Sequence, residues 1–387
     1  MYKSIAIMID SFKGSMSSTT ANEAALEGFR RVFSDDPDVH YFLQPISDGG
    51  EGFFEALAYD RRNVTVSGPL GEPVDVCVGQ CGRVAVIEMA QAAGLPLVPQ
   101  DKRDPMHTTT YGVGEMIRHA IENGYRKFII GIGGSATNDG GIGMLQALGF
   151  GLLDENGEPV PFGAKGLKVL KTITTDKVLP TLAECEFTVA CDVENPLCGD
   201  NGCSAVFALQ KGASAQDVAE MDRWLYDYAQ LVKTVFPKAD ETAPGAGAAG
   251  GMGFALSAFL GATLKSGFDI IAEENRLERQ IRLSDLVITG EGHLDGQSAM
   301  GKVPCKVATL AKQHGVPVIA LVGGVAPDAR VCHDVGITAV FPIVRGVTTL
   351  EEAMDEAAAR RNMADTAEQV ARLIKGLAEN PMVTADE

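Results

Sequence analysis

The sequence predicts an α/β protein made of two domains: a discontinuous Rossmann-like domain with a parallel sheet, formed by both chain ends, and an inserted second α/β domain with a mixed sheet. Two observations lead to this prediction. Short apolar segments alternate with helical patterns at the N-terminal end, and the same alternation returns after about residue 283. From about residue 66, apolar and polar residues instead alternate around glycine-rich turns, which is typical of antiparallel hairpins.

The length of the chain fits this division. A chain of 387 residues is long for one typical domain. We expect the Rossmann-like domain at 1–66 and 280–387, the inserted domain at 67–279, and the active site in the cleft between them.

The elements follow in order from local patterns. Residues 3–10 form a short apolar strand, 40–46 a second strand, and a helix follows the loop SDGGEG and ends near Tyr59. After the hairpins, the pattern predicts a helix at 109–124, a buried strand at 127–133, a strand at 185–192 and a long helix at 214–236. The C-terminal part contains the strands LSDLVITGEG, VPVIALVGG and TAVFPIV, a helix between the first two, and a closing helix over 349–378.

Charge and composition exclude several classes of function. A net charge of −18 argues against nucleic-acid binding and against docking on anionic membranes, because both need a basic surface. No stretch approaches the ~18 apolar residues of a membrane span, and the N-terminus lacks the features of a secretory signal. The eight cysteines are scattered without a CxxC pair, so we expect reduced thiols, no zinc and a cytoplasmic location. The oligomeric state is left open, with a homodimer as one option.

Six loops at strand ends or helix starts combine glycine with acids or hydroxyls. In parallel α/β sheets ligands bind at the carboxyl ends of strands, where glycine lets the backbone approach a phosphate. The loops are DSFKGS (10–15), SDGGEG (47–52), GGSATNDGG (133–141), CDVENPLCG (191–199), GAGAAGG (245–251) and TGEGHLDGQSAMGK (289–302).

The residue types in these loops indicate phosphoryl transfer. Carboxylates suit Mg²⁺, which takes one or two of them together with phosphate oxygens. Lys13 and Lys302 can stabilise a transferring phosphoryl group. The acids in these loops are Asp48, Glu51, Asp139, Asp192, Glu291 and Asp295.

The segment GQSAMGKV (296–303) nearly matches the phosphate-binding loop G-x-x-x-x-G-K-[ST]. Val303 stands where a hydroxyl would bind the metal. The preceding strand ends near Thr289, so that Glu291 and Asp295 come between the strand and Gly296. We therefore exclude a nucleotide loop of this type.

Taken together, the motifs resemble those of the glycerate kinase family, type 1. They are DSFKGS, P-I-SDGGEG, GIGGSATNDGG, D-x-x-NPL-x-G, GAGAAGG and TGEG-x-LD-x-QS-x-x-GK-x-P, in the order of the family and distributed from residue 10 to residue 304. The resemblance implies a cytosolic kinase that uses ATP to phosphorylate D-glycerate, in bacterial members at the 2-hydroxyl. It also implies two domains with the active site in the cleft.

Roles are assigned from residue types and positions in these motifs. Lys13, Asp192 and Asp295 are the expected catalytic residues: either aspartate orients or deprotonates the hydroxyl, and Lys13 or Lys302 offsets the developing charge. Asp48, Asp192 and Glu291 are the expected Mg²⁺ ligands. The residues expected to bind substrate or phosphate are Ser11, Asp48, Gly49, Gly50, Gly134, Ser135, Asn138, Asp139, Asn195, Gly247, Gly250, Glu291, Gln297, Ser298 and Lys302.

Other functions are open from the residues alone. A glycerate 3-kinase would use the same residues, since the two hydroxyls of the substrate are within about 3 Å of each other and are distinguished by small differences of placement. A non-catalytic protein that closes on a small anion would need neither metal nor nucleotide hydrolysis. A phosphatase or phosphomutase with Asp10 as nucleophile lacks the second aspartate two residues later.

Overall fold

The computed structural model describes residues 3–33, 38–50 and 52–379. Their contacts divide the chain into two compact units. Unit 1 contains the described residues up to Ala56 and those from Phe268 onward, and unit 2 is Leu57–Gly267. Glu51, one of the acids noted in the sequence, lies outside the described residues.

The strands and helices of the described residues alternate along most of the chain. In chain order the strands are β1 (Ser4–Ile9), β2 (His40–Leu43), β3 (Asp60–Ser67), β4 (Pro73–Cys81), β5 (Val84–Glu88), β6 (Lys127–Gly131), β7 (Gly151–Leu153), β8 (Thr172–Thr174), β9 (Glu186–Ala190), β10 (Thr263–Lys265), β11 (Leu286–Gly290), β12 (His293–Leu294), β13 (Val318–Val322), β14 (Gly324–Val325) and β15 (Ile337–Pro342). The α-helices are α1 (Ser18–Phe33), α2 (Phe53–Leu57), α3 (Ala90–Ala93), α4 (Tyr111–Glu122), α5 (Ile142–Ala147), α6 (Ala164–Val169), α7 (Cys203–Phe207), α8 (Ala215–Val235), α9 (Ala248–Leu260), α10 (Gly267–Glu274), α11 (Leu277–Arg282), α12 (Val303–Gln313), α13 (Leu350–Met354) and α14 (Glu356–Glu379).

Unit 1 is built on a five-stranded parallel sheet with the order β15-β13-β11-β1-β2. Residues 5–9 of the central strand β1 are fully buried, as expected for a strand covered on both faces. Helices α1 and α14 pack closely along each other. A Cβ on Gly28 of α1 would lie 2.1 Å from the carbonyl oxygen of Ala364, so glycine permits this approach. Because every strand pair is parallel, all five carboxyl ends lie at one edge.

Unit 2 is built on a six-stranded mixed sheet with the order β10-β9-β6-β5-β4-β3. The pairs from β5 to β10 are parallel, while β3, β4 and β5 pair antiparallel. The unit has a hydrophobic core of its own, with Phe128, Tyr228 and Phe254 among its largest buried side chains. The loops after β6 and β9 leave the same edge of this sheet.

The predicted fold class is confirmed: a parallel sheet is formed by both chain ends, and a mixed α/β unit is inserted between them. The unit boundaries, however, lie at 56/57 and 267/268 instead of 66/67 and 279/280. Strand β3 pairs over its whole length with β4 and so belongs to unit 2, whereas helices α10 and α11 belong to unit 1. The predicted closing helix is two helices, interrupted at Asp355.

None of the helices in the described part of the chain is both long and apolar enough to cross a membrane.

Candidate active site

A cavity of about 530 Å³ opens at the carboxyl edge of the parallel sheet in unit 1. The segment that follows each of the five strands contributes to its wall. Asp10 follows β1, Asp48 comes after β2, Glu291 follows β11, Gly323 follows β13 and Ile343 follows β15. This is the place where parallel α/β sheets bind their ligands.

Five of the predicted site residues line this cavity: Ser11, Lys13, Asp48, Glu291 and Lys302. The Nζ atom of Lys13 lies 3.8 Å from Oδ2 of Asp48, and the lysine side chain is 71% exposed, so it can move towards a ligand. The Nζ atom of Lys302 lies 3.9 Å from Oε2 of Glu291. The cavity wall therefore combines two cations with several carboxylates.

Two carboxyl groups in the wall, those of Asp10 and Glu291, are destabilised in their charged form. Burial raises the pKa of Asp10 to about 7; the N–H of Ser11, 2.7 Å from Oδ1, opposes this shift, and the carboxylates of Asp48 and Glu291 add to it. Burial also raises the pKa of Glu291, although the Ser298 hydroxyl donates to its Oε1 at 2.6 Å. Binding of a proton or of a hard cation would therefore stabilise these two carboxyl groups.

Two serine hydroxyls in the wall have no partner. Oγ of Ser11 and Oγ of Ser15 are buried and make no hydrogen bond to any group in the described ranges. Buried polar groups in native proteins are almost always hydrogen-bonded. A ligand in the cavity would supply the missing partner.

The predicted residues Asp295, Gln297 and Ser298 are not part of the wall. Oδ1 of Asp295 accepts a hydrogen bond from Nζ of Lys302 at 3.1 Å and one from the N–H of Ser298 at 2.9 Å. The hydrogen bond from Lys302 lowers the pKa of Asp295. Asp295 thus holds the side chain of Lys302 in place. Lys302 is the residue that immediately precedes α12.

The glycines after Asp48 shape its turn. The N–H of Gly50 donates to Oδ1 of Asp48 at 3.0 Å, and the N–H of Gly49 donates to Oγ of Ser47 at 3.2 Å. Gly49 has φ = 110°, a backbone conformation that favours glycine.

The predicted loop residues of unit 2 form a buried polar cluster. The carboxylate of Asp139 is fully buried and accepts from the N–H of Thr110 at 3.0 Å, the hydroxyl of Thr110 at 2.8 Å, and the N–H groups of Gly141 and Gly143 at 3.0 and 3.4 Å. Burial raises the pKa of Asp139 despite these donors. These donors leave the carboxylate well satisfied, which fits a structural role better than the predicted contact with a ligand.

Sequence analysis missed Lys211, which belongs to this cluster. It is almost fully buried, and its Nζ atom donates to Oγ of Ser135 at 2.9 Å and to the carbonyl of Thr137 at 2.7 Å. Burial lowers the pKa of Lys211 to about 8. The same loop contains Gly134, with φ = 70°, and Asn138, whose Nδ2 donates to Oγ of Ser204 at 2.8 Å. No local pattern distinguishes Lys211 from a surface lysine.

The other predicted glycines of unit 2 allow neighbouring loops to touch. The N–H of Gly247 donates to the carbonyl of Asn195 at 2.9 Å. A Cβ on Gly247 would lie 2.2 Å from the carbonyl oxygen of Pro196, and one on Gly250 would lie 2.2 Å from that of Thr137. These glycines are therefore required by backbone packing.

Asp192, a predicted catalytic residue and metal ligand, lies in unit 2 just after β9. Its side chain is exposed, and Oδ2 accepts from the N–H of Gly267 at 3.2 Å. Of the predicted metal ligands, Asp48 and Glu291 share the wall of the unit 1 cavity. Within the described ranges, no group of three or more His, Cys, Asp or Glu side chains is arranged to hold a metal ion.

Several wall residues were not predicted. They are Gly323, Gly324, Ile343, Val344, Leu350, Ala353, Met354, Ala359 and Asn362. The rule applied to the six motif loops would have found the first four, because they are the last two residues of the predicted segments VPVIALVGG and TAVFPIV. The remaining ones lie on helices that no motif marks.

Comparisons with known proteins identify the family of the chain. A model of the glycerate kinase family matches residues 5–375. The chain is 48% identical over 373 residues to glycerate 2-kinase of Escherichia coli strain K12, covering 94% of this chain and 97% of that protein. It is 45% identical over 377 residues to glycerate kinase of Bacillus subtilis strain 168, covering 96% and 97%.

A solved structure is similar over nearly the whole chain. A crystal structure assigned to a glycerate kinase 2 from Salmonella typhimurium LT2 has a TM-score of 0.88 and 42% sequence identity, and the match covers 98% of this chain and 100% of that one. The motif order, the family match and the extent of these similarities lead to one conclusion: the chain belongs to the glycerate kinase family.

Proposed function

We propose that this protein is a glycerate 2-kinase, which transfers the γ-phosphoryl group of ATP to the 2-hydroxyl of D-glycerate. The observation that carries the proposal is the cavity at the carboxyl edge of the parallel sheet, where Lys13 and Lys302 meet Asp48 and Glu291 in a chain of the glycerate kinase family. The 2-position is supported by the Escherichia coli relative, which is named glycerate 2-kinase.

Lys13 is the residue best placed to follow the transferring phosphoryl group. Its ion pair with Asp48 is long and exposed, so little interaction energy is lost when the ammonium turns to a phosphate oxygen. The hydroxyls of Ser11 and Ser15 supply further donors in the same wall. Positioning and charge stabilisation of this kind provide most of the catalysis in phosphoryl transfer.

Lys302 is a fixed cation. Asp295 and Glu291 hold its ammonium group at 3.1 and 3.9 Å, so that its position is set before the substrates bind. We propose that Asp295 positions Lys302. A lowered pKa makes Asp295 a weaker base, and Asp192 remains a predicted proton acceptor.

Mg²⁺ fits the acidic part of the wall. Asp48 and Glu291 would hold it, because their carboxylates face the cavity and carboxylate oxygens are ligands that Mg²⁺ prefers. Burial raises the pKa of Glu291 although Lys302 and Lys13 lie nearby, so its carboxylate would be stabilised further by a bound cation. Bound there, Mg²⁺ would neutralise phosphate charge. Asp192 remains a predicted third ligand.

The predicted binding loops of unit 2 are assigned in two ways. We propose that Asp139, Gly247 and Gly250 act by holding the loops together, because their contacts are already made within the chain. Gly134, Ser135, Asn138 and Asn195 remain predicted substrate or phosphate contacts, and so do Gln297 and Ser298 of unit 1.

We infer that the enzyme works in the cytoplasm, where its phosphoryl donor ATP is available. The eight cysteines are free thiols, which is compatible with a reducing compartment.

The test is ³¹P NMR of the purified protein with ATP, Mg²⁺ and D-glycerate. We expect a 2-phosphoglycerate signal that requires the metal. A 3-phosphoglycerate signal would favour a glycerate 3-kinase. Bound but unreacted ATP would favour the alternative of a non-catalytic anion-binding protein.

A further inference from the structure

We propose that the apolar part of the unit 1 cavity binds the purine base of ATP, with Phe12, Leu350 and Met354 in contact with the ring and Asn362 at its edge. This inference rests on the proposed function for the identity of the donor. It extends that function because Leu350, Met354 and Asn362 lie outside the six motif loops. Phe12 lies in the loop DSFKGS.

The wall of the cavity changes in character along the chain. The residues from 10 to 15, together with Asp48, Glu291 and Lys302, are mainly polar, whereas those from Ile343 to Ala359 are apolar. A nucleoside triphosphate has the same division, with a charged chain of phosphates at one end and a flat, weakly polar base at the other. A small organic acid has no part that would fill the apolar wall.

Helix α13 presents an apolar face to the cavity. Leu350, Ala353 and Met354 are spaced i, i+3 and i+4, so they lie on one side of the helix. Leu350 is 76% exposed and Met354 is 38% exposed. Apolar side chains left uncovered at the wall of a cavity are typical of a binding surface.

The apolar and the charged parts of the wall are neighbours. Phe12 stands in sequence between Ser11 and Lys13, so one loop supplies both a buried aromatic ring and the phosphate-binding groups. A Cβ on Gly14 would lie 3.0 Å from Cε of Met354. Helix α13 therefore packs directly against this loop. A base seated on Met354 would therefore leave its phosphates close to Lys13.

The size of the cavity supports a ligand of this class. Its volume of about 530 Å³ lies within the range of roughly 300–1,000 Å³ that is usual for cofactor and nucleotide sites. A three-carbon acid alone would leave most of this space empty.

Asn362 gives the site a preference among bases. It lines the cavity from α14, one turn after Ala359. An asparagine amide donates and accepts at the same time, which matches the N7 acceptor and the N6 amino donor of adenine. Guanine presents two acceptors, N7 and O6, at the same edge. The site should therefore prefer ATP over GTP.

The first experiment measures binding to the full-length protein by isothermal titration calorimetry with two probes, ADP and inorganic tripolyphosphate. The variant L350S/M354S should bind ADP about tenfold more weakly or worse, because it loses apolar contacts with the ring, and should bind tripolyphosphate like the wild type. L373S is the matched control, since Leu373 is a 53% exposed leucine on α14 outside the cavity wall. An unchanged affinity for ADP, or equal losses for both probes, would overturn the proposal.

The second experiment compares ADP with GDP in N362A. We expect the wild-type preference for ADP to fall about tenfold, as is usual when one hydrogen-bonding contact to a ligand is removed. An unchanged ratio removes Asn362 from the site.

The two proposals fail in different ways. If the wild type makes no phosphoglycerate but ADP binding responds as described, the base site stands and the proposed function fails. If 2-phosphoglycerate forms and the variants bind ADP like the wild type, the function stands and the base site fails.

Discussion

The cavity wall of unit 1 and the loop 133–141 of unit 2 are built from the same residue types, glycine, acids and hydroxyls, but their polar groups have different partners. In unit 1 the hydroxyls of Ser11 and Ser15 are buried without a partner in the part of the chain that the structure describes, and Lys13 is exposed. In unit 2 Asp139 accepts from four donors of the chain, and Lys211 is buried and hydrogen-bonded. Two atoms of this loop, Oγ1 of Thr137 and Oδ1 of Asn138, are also buried without a partner among the described residues.

For the charged groups, this difference separates candidate binding groups from structural groups. A polar group whose hydrogen bonds are already made within the chain stabilises the fold, and a ligand can gain little from it. A polar group that is held in place but unsatisfied gains its partner when the ligand arrives. Four substitutions test this distinction, in order of decreasing effect.

The largest effect is expected for K13M. Removing the mobile cation should lower kcat/KM for phosphorylation of D-glycerate by about 100- to 1,000-fold, the range seen when one stabilising group of a transition state is lost. The free energy of unfolding should stay within about 0.5 kcal/mol, since the side chain is largely exposed. Steady-state kinetics and urea unfolding measure the two effects, with K375M on the exposed face of α14 as control. Wild-type turnover of K13M would remove Lys13 from the mechanism.

Next comes D139A in unit 2. It leaves four buried or partly buried donors without their acceptor, and we expect a loss of about 3 kcal/mol or more in the free energy of unfolding. Urea unfolding measures it. D48A is the comparison: among the described residues Asp48 accepts from the N–H of Gly50 at a partly exposed turn and forms a long ion pair with Lys13, so activity should fall far more than stability. A D139A protein that is as stable as the wild type but inactive would break the distinction.

Lys211 should make stability depend on pH in a particular direction. Its pKa in the folded protein is lowered to about 8, below the unfolded value, so the unfolded chain keeps a proton that the folded protein has released. Stability therefore rises with pH in this range. The free energy of unfolding of the wild type, minus that of K211M, should increase by about 2 kcal/mol between pH 8 and pH 10.

Urea unfolding at a series of pH values gives this difference. K177M, at an exposed lysine of the same unit, is the control. If the difference in free energy of unfolding between wild type and K211M does not change with pH, the pKa of Lys211 is not lowered in the folded protein.

The smallest effect is expected for S11A. The hydroxyl has no partner among the described residues, so its removal should leave stability unchanged or slightly higher. Affinity for inorganic tripolyphosphate should fall about fivefold, the value of one hydrogen bond. Calorimetry and urea unfolding check both. S284A should lower stability and leave the affinity for tripolyphosphate unchanged, because Ser284 already donates to the carbonyl of Gln280 at 2.8 Å. An S11A protein with full affinity but lower stability would make Ser11 a structural residue.

Much of the fold could be predicted because its signals are local. The apolar segment 5–9 needs no partner to be recognised as a buried strand, and the capping box of Ser214 and Asp217 marks the start of α8 within four residues. The carboxyl-edge rule predicted Lys13, Asp48 and Glu291 at the carboxyl edge of the sheet, and all three line the cavity there. The unit boundary was less accurate because β3 is defined by its pairing with β4, which a hydrophobic pattern does not contain.

The sequence by itself determined the family, the two sheets and the loops that carry the charged groups, because these depend on residue types and short spacings. The tertiary structure decided which of these groups are free. Asp139 is satisfied by Thr110, 29 residues away, and Lys211 by Ser135, 76 residues away. Met354 reaches the loop at Gly14 only because α13 follows the last strand of the sheet that β1 also forms. Satisfaction and burial are properties of partners that folding brings together, and no local stretch of sequence contains them.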